Sequence, residues 1–159
     1  MKNFLKPILV LLAFCLLACQ SADSIVLDSS KEDAETRIAT MRKIIEPLAA
    51  LPTDILDAHY FEYKMGSGLI GPSDYSFFAK IKVPEGSAKK WGDKMEEIKP
   101  DFLYASPQVD LKWWLGLEDF EAIVENSPFY STKTYFGRHW GWMIIDEKTH
   151  TIYAHTFTM

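Results

Sequence analysis

Two runs of alternating polarity constrain the fold of this chain more than any other feature of its sequence. The first run, HYFEYKM, carries one set of side chains at every second position: His59, Phe61, Tyr63 and Met65. The second run, YSFFAKIKV, repeats the pattern with Tyr75, Phe77, Ala79, Ile81 and Val83. Because successive side chains on a strand point to opposite faces, both runs predict strands of an antiparallel sheet with one buried face.

The remainder of the chain mixes helical and strand patterns. Apolar residues recur at steps of three and four from Lys31 to Glu46, which predicts a helix. Further helices are predicted at 84–98 and 117–125, and strands at about 129–136, 140–146 and 151–158. The predicted fold class is therefore α+β: an antiparallel sheet of about five strands with helices packed on one face.

A glycine-rich segment, MGSGLIGPSD (65–74), joins the two alternating runs. Its glycines fit the dinucleotide fingerprint G-x-G-x-x-G, but that motif needs a following helix to hold the phosphate. Here alternation resumes instead, and Pro72 stands where a P-loop needs lysine. We therefore predict a hairpin loop and no nucleotide cofactor. Leu69 and Ile70 near its tip, with Asp74, are candidate binding residues, and a purely structural loop is the alternative.

The N-terminal segment has the layout of a secretory signal peptide. Lys2 and Lys6 precede an apolar run from Ile8 to Ala18. That run is too short to cross a hydrocarbon core of ~30 Å at ~1.5 Å per residue. It ends in Leu-Leu-Ala-Cys at 16–19, which resembles the lipobox of bacterial lipoprotein precursors.

The lipobox resemblance implies that Cys19 becomes the first residue of the mature chain and carries acyl chains. The protein would then be attached to a membrane through this lipid anchor. Gln20 resembles the residue that follows the cysteine in lipoproteins directed to the outer membrane, so we expect outer-membrane anchoring with the domain facing the periplasm. The expected boundaries are a signal peptide at 1–18, a lipidated cysteine and flexible tether at 19–30, and one globular domain at 31–159.

Cleavage at Cys19 determines the thiol content and the charge of the mature protein. Cys15 would be removed and Cys19 acylated, which excludes a thiol nucleophile and a cysteine-based metal site. Loss of Lys2 and Lys6 would leave 15 basic against 22 acidic residues, a net charge of −7. The acidic balance and the absence of a basic cluster argue against nucleic acid as a partner.

Histidines and carboxylates form no recognisable catalytic or metal-binding motif. The four histidines are His59, His139, His150 and His155, and their spacing fits no zinc motif. His59 falls in an alternating apolar set, which favours a hydrogen-bonded core histidine. No metal site and no catalytic residue are therefore assigned, although a hydrolase with dispersed site residues would use His139 or His155 as general base.

Aromatic residues are 14% of the chain and supply the remaining candidate binding residues. Trp113 and Trp114 are adjacent and cannot both face inward from a regular helix or strand. One of them, with Tyr135 or Arg138, is predicted to form a contact patch, because Trp, Tyr and Arg dominate interface hot spots. Three other tryptophans are assigned to the core: Trp91, Trp140 and Trp142.

These features together predict a lipid-anchored envelope lipoprotein whose domain binds a protein partner without catalysis. A protective role, such as immunity against a toxin that enters the envelope, would suit an anchored acidic module. The alternatives are an envelope hydrolase with a dispersed histidine site and a structural or assembly lipoprotein.

Overall fold

The computed structural model describes residues 24–65, 73–99 and 104–158, which contain seven strands in one sheet. The spatial order is β1-β2-β3-β7-β6-β5-β4, and every neighbouring pair is antiparallel. The strands are β1 Ser24–Asp28, β2 Asp57–Met65, β3 Asp74–Lys82, β4 Glu97–Ile98, β5 Phe129–Tyr130, β6 Trp140–Asp146 and β7 Thr151–Phe157. The predicted antiparallel sheet is confirmed, whereas the predicted number of about five strands is wrong.

The glycine-rich segment connects two strands that pair with each other. β2 ends at Met65 and β3 begins at Asp74, and these two residues are partners in the antiparallel register. The prediction of a strand on each side of this segment is confirmed. Residues 66–72, including Leu69 and Ile70, lie outside the described residues.

Within the described ranges there are four α-helices: α1 Ala34–Ile45, α2 Lys89–Gly92, α3 Leu117–Val124 and α4 Lys133–Phe136. Asp33 caps α1 by accepting a hydrogen bond from the Thr36 N–H at 2.8 Å. Met41 and Ile45 of α1 are fully buried against the sheet, and each such side chain contributes roughly 1.5–3 kcal/mol on burial. No helix among these residues is long and apolar enough to cross a membrane.

Both faces of the sheet are buried, each beneath a different hydrophobic cluster. The first face carries Tyr60, Ala79 and Ile152 and is covered by α1 and α4. The second face carries Phe61, Phe78 and Trp142 and is covered by Phe120 of α3 and by the Trp114 region. The prediction that helices pack on one face is therefore wrong. The register pairs Phe61 with Phe78 and Tyr60 with Ala79, so the predicted apolar set of β2 and the predicted apolar set of β3 lie on opposite faces of the sheet.

The start of the domain and the lengths of two elements also differ from the predictions. Ser24–Asp28 pairs with β2, so the folded domain begins before the predicted boundary at residue 31. The strand predicted at 129–136 is only two residues long, and α4 follows it. The helix predicted at 84–98 is reduced to the four residues of α2.

The central strands of the sheet end at two opposite ends of the domain. At the Ser24 end, β1 begins, β2 ends, β3 begins, β7 ends and β6 begins. At the opposite end, called the turn end, residues 147–150 connect β6 to β7. Trp140 and Asp146 are six residue steps apart along β6, so the two ends are roughly 20 Å apart at ~3.4 Å per residue.

Candidate functional site

The turn end carries an open groove with a volume of about 840 Å³. One wall is α3, which contributes Asp119, Ala122 and Ile123, and the other is the connection between β6 and β7. Tyr130 and Tyr153 also line the groove from the sheet. A concave surface of this size, with both apolar and polar lining, is the ordinary geometry of a binding site.

Local packing holds these walls in place. Asp146 accepts hydrogen bonds from the N–H groups of Lys148 at 3.0 Å and Thr149 at 3.2 Å, which fixes the turn. Phe120 anchors α3 against the second face, where its ring lies 5.2 Å from that of Trp142. Gly92 allows the backbone to approach Tyr130, because a Cβ at this position would lie 3.1 Å from the tyrosine hydroxyl oxygen.

Carboxylates dominate the charge of the groove. Four acidic residues line it, against two lysines: Asp93, Asp119, Asp146 and Glu147 against Lys89 and Lys148. Burial, followed by Asp146 and Asp119, raises the pKa of Tyr153 to about 12. Burial, followed by nearby carboxylates, also raises the pKa of Tyr130. Both tyrosines therefore stay neutral at physiological pH, and each can donate or accept a hydrogen bond.

The predicted binding residues are dispersed over the domain. Asp74 is a half-buried residue at the Ser24 end, paired with Met65. Trp113 stacks on His59, with ring centroids 5.5 Å apart, whereas Trp114 is buried against Phe78. Lys80, the register partner of His59, is six residues from Asp74 along β3, which corresponds to roughly 20 Å. The structure thus does not bring Asp74 and Trp113 into one patch.

Arg138 lies on the first face, away from both tryptophans. Its Nη2 is 2.6 Å from Glu62 Oε1, and the two side chains are 28% and 10% exposed. The guanidinium also lies over the ring of Phe77, 6.0 Å from its centroid. Tyr135, the alternative member of the predicted contact patch, is fully buried and donates to the Trp91 carbonyl oxygen at 3.3 Å.

His155 and Ser76 form the nearest approach to a nucleophile and base in the described part of the chain. Nε2 of His155 is 3.0 Å from the Ser76 hydroxyl oxygen, but the residues are only 5% and 3% exposed. The imidazole stacks on Phe78 and Phe157, at 4.4 and 5.5 Å between ring centroids. This pair has no open approach for a substrate, so its geometry favours a core role over hydrolysis.

Burial of His155 makes the domain sensitive to acid. Burial lowers the pKa of His155 from 6.5 to about 4. Between these values the unfolded chain binds a proton that the folded protein does not, so the free energy of unfolding falls as pH falls. We expect a loss of about 3 kcal/mol from this residue between pH 7 and pH 4, since each pKa unit corresponds to ~1.4 kcal/mol.

Urea denaturation across that pH range measures this loss. His155→Gln should remove most of the acid dependence, whereas His139→Gln, at an exposed position, should retain it. Burial also lowers the pKa of His59, so a smaller dependence of the same sign should persist in His155→Gln. If the free energy of unfolding of His155→Gln depended on pH as it does in the unmodified protein, burial of His155 would not be the cause of the acid sensitivity.

His59 differs from the predicted hydrogen-bonded core histidine. It is half-buried, its Nε2 lies 3.7 Å from Asp57 Oδ2, and its Nδ1 has no partner. That separation is too long for a hydrogen bond. In the described ranges no group of three or more His, Cys, Asp or Glu side chains is placed to hold a metal ion.

Comparison with known proteins does not identify a relative. No family model, no curated protein and no solved structure matches this chain. Functional inference therefore depends on the groove and on the N-terminal sequence.

Sequence reasoning did not find the groove. Its tyrosines occupy ordinary strand positions, and Asp119 and Asp146 occupy a helix start and a turn, where carboxylates are common for structural reasons. Asp119 and Tyr153 are separated by more than thirty positions, and no spacing rule links them. Among the predicted binding residues, Trp113 comes near the groove in sequence, since it precedes the groove residue Leu115 by two positions.

Proposed function

We propose that this protein is a lipid-anchored, non-enzymatic binding module of the bacterial envelope, facing the periplasm from the outer membrane. Its groove at the turn end would hold a segment of a protein partner. The observation that carries this proposal is that the groove lies at the end of the sheet opposite Ser24, where the chain arrives from the lipobox cysteine. A lipid anchor at Cys19 would then be joined to the domain at the end opposite the groove.

The chemistry of the groove suits a peptide segment. Leu115, Ile123 and Ile145 offer apolar contact, while the hydroxyls of Tyr130 and Tyr153 offer hydrogen bonds. Apolar contact with a few oriented polar groups is the usual composition of a recognition pocket. The excess of carboxylates favours a partner segment that carries lysine or arginine.

The absence of catalysis is also a proposal, supported by the burial of the Ser76 and His155 pair. An acidic anchored domain that captures a basic segment would suit a protective role against a protein that enters the envelope. A structural or assembly lipoprotein would instead show constitutive, stoichiometric association with an outer-membrane complex. The identity and abundance of the captured protein separate these two roles.

Photocrosslinking from α3 tests the groove directly. A photoreactive amino acid replaces Ala122, which lines the groove, or Glu121, which is exposed on the same helix outside it. In intact envelopes we expect a discrete protein adduct from position 122 and about tenfold less from position 121, because interface contacts concentrate in the concave centre. Equal adducts from both positions would contradict a specific groove.

A further inference from the structure

The Ser24 end of the sheet exposes large apolar side chains. Trp140, predicted to belong to the core, is 49% exposed, and Ile25 is 59% exposed. Both lie in a single register row that crosses five strands: Ile25, Tyr63, Ser76, Phe157 and Trp140. Directly paired residues share a face, so Ile25 and Trp140 lie on the same side of the sheet about 19 Å apart at ~4.8 Å per strand, with the buried Tyr63 and Ser76 between them.

The length of chain before Ser24 limits where this surface can lie. Four residues separate Cys19 from Ser24. Whatever their conformation, five residue steps span at most about 18 Å. The sheet itself is roughly 20 Å long between its two ends. An acylated Cys19 would therefore keep the Ser24 end close to the lipid, and the turn end could not take its place.

We infer that the Ser24 end rests in the interfacial layer of the anchoring membrane, with Trp140, Ile25 and Val26 as the contacting side chains. The inference depends on the proposed lipid anchor at Cys19. Tryptophan is enriched at membrane interfaces because its ring is apolar and its indole N–H is polar. Ile25 and Val26 are 59% and 46% exposed, and they add apolar area that favours insertion into the interfacial layer.

Membrane contact at this end holds the protein in one orientation. The opposite turn end, with its groove, would then project roughly 20 Å or more into the aqueous compartment. The mature protein would be acidic, so the contact depends on apolar insertion and on the acyl chains, not on attraction to anionic lipid. Because only four residues separate Cys19 from Ser24, the lipid anchor would also restrict the orientation of the domain on the membrane.

Fluorescence quenching by lipid tests the orientation in the full lipidated protein. His139→Cys places a unique bimane label beside Trp140, and Lys148→Cys places the matched label at the turn end; both positions are exposed. The protein is reconstituted in vesicles of phosphatidylethanolamine and phosphatidylglycerol that contain a doxyl-labelled lipid. We expect quenching at position 139 to exceed that at position 148 at least about threefold, and Trp140→Ser to reduce this ratio.

Flotation of the same vesicles separates failure of the anchor from failure of the orientation. Protein that does not float with vesicles would overturn the proposed anchor and the inference together. Protein that floats but is quenched equally at both positions would overturn the inference alone. Label at position 139 that is shielded from iodide in native envelopes, yet not quenched by lipid, would show that a protein covers this surface and would also overturn it.

Discussion

Replacing Gly141 with alanine is expected to unfold the domain or destabilise it by more than about 4 kcal/mol, an effect reserved for severe backbone conflict. Gly141 has φ of 125°, which side-chain-bearing residues rarely adopt. A Cβ there would lie 2.1 Å from the His155 carbonyl oxygen and 2.6 Å from the Thr156 Cα. Because these are backbone atoms of the paired strand β7, no rotamer change relieves the overlap, and the central ladder must separate.

Gly86→Ala is the matched control for the effect of positive φ. Gly86 has φ of 70°, yet nothing lies within 4 Å of an added Cβ. Strain alone should then cost only about 1 kcal/mol. Urea denaturation followed by circular dichroism compares the two variants. A urea midpoint for Gly141→Ala close to that for Gly86→Ala would contradict the close approach of β6 to β7 at Gly141.

The second large effect is expected from Arg138→Met, which leaves the Glu62 carboxylate buried without its partner. Breaking a fully buried ion pair costs about 3–5 kcal/mol, and partial exposure of Arg138 places this pair at about 2–3 kcal/mol. The double variant Glu62→Leu with Arg138→Met should recover most of that loss, since no unpaired charge remains. Chemical denaturation of the single and double variants measures the coupling between them.

Arg42→Met is the control for loss of an ordinary surface arginine. Arg42 pairs with Glu46 at 2.9 Å, but their side chains are 37% and 48% exposed. Such exposed pairs contribute about 1 kcal/mol or less. A comparable loss in Arg138→Met and Arg42→Met would contradict a structural role for Arg138. Weakened partner capture without any loss of stability would restore Arg138 as a binding residue.

The central strands were predictable from sequence because their alternation is a local property. β2, β3, β6 and β7 lie within a few residues of the predicted limits. The edge strand β1 was not predictable, since five residues beside a polar segment resemble a tether until β2 supplies their partners. Trp140 shares its parity with buried Trp142, and only its place at the last register row explains why it is exposed.

The candidate site was less predictable than the fold because it depends on tertiary placement. Tyr130, Tyr153 and Asp119 come from three separate elements that meet at the turn end. Arg138 carried an interface-like signal in the sequence, but the structure pairs it with Glu62, 76 positions away. Residue type alone does not distinguish an arginine that binds a partner from one that neutralises a buried carboxylate.

Partner capture by groove-filling variants is the most direct test of the proposed binding function. Ala122→Trp would occupy the groove, whereas Glu121→Trp adds the same side chain to an exposed position on the same helix. The protein crosslinked from position 122 is titrated against each purified lipidated variant. The proposal predicts at least about a tenfold loss of affinity for Ala122→Trp, the scale of one hot-spot contact, and none for Glu121→Trp. Equal affinity of both folded variants would contradict it.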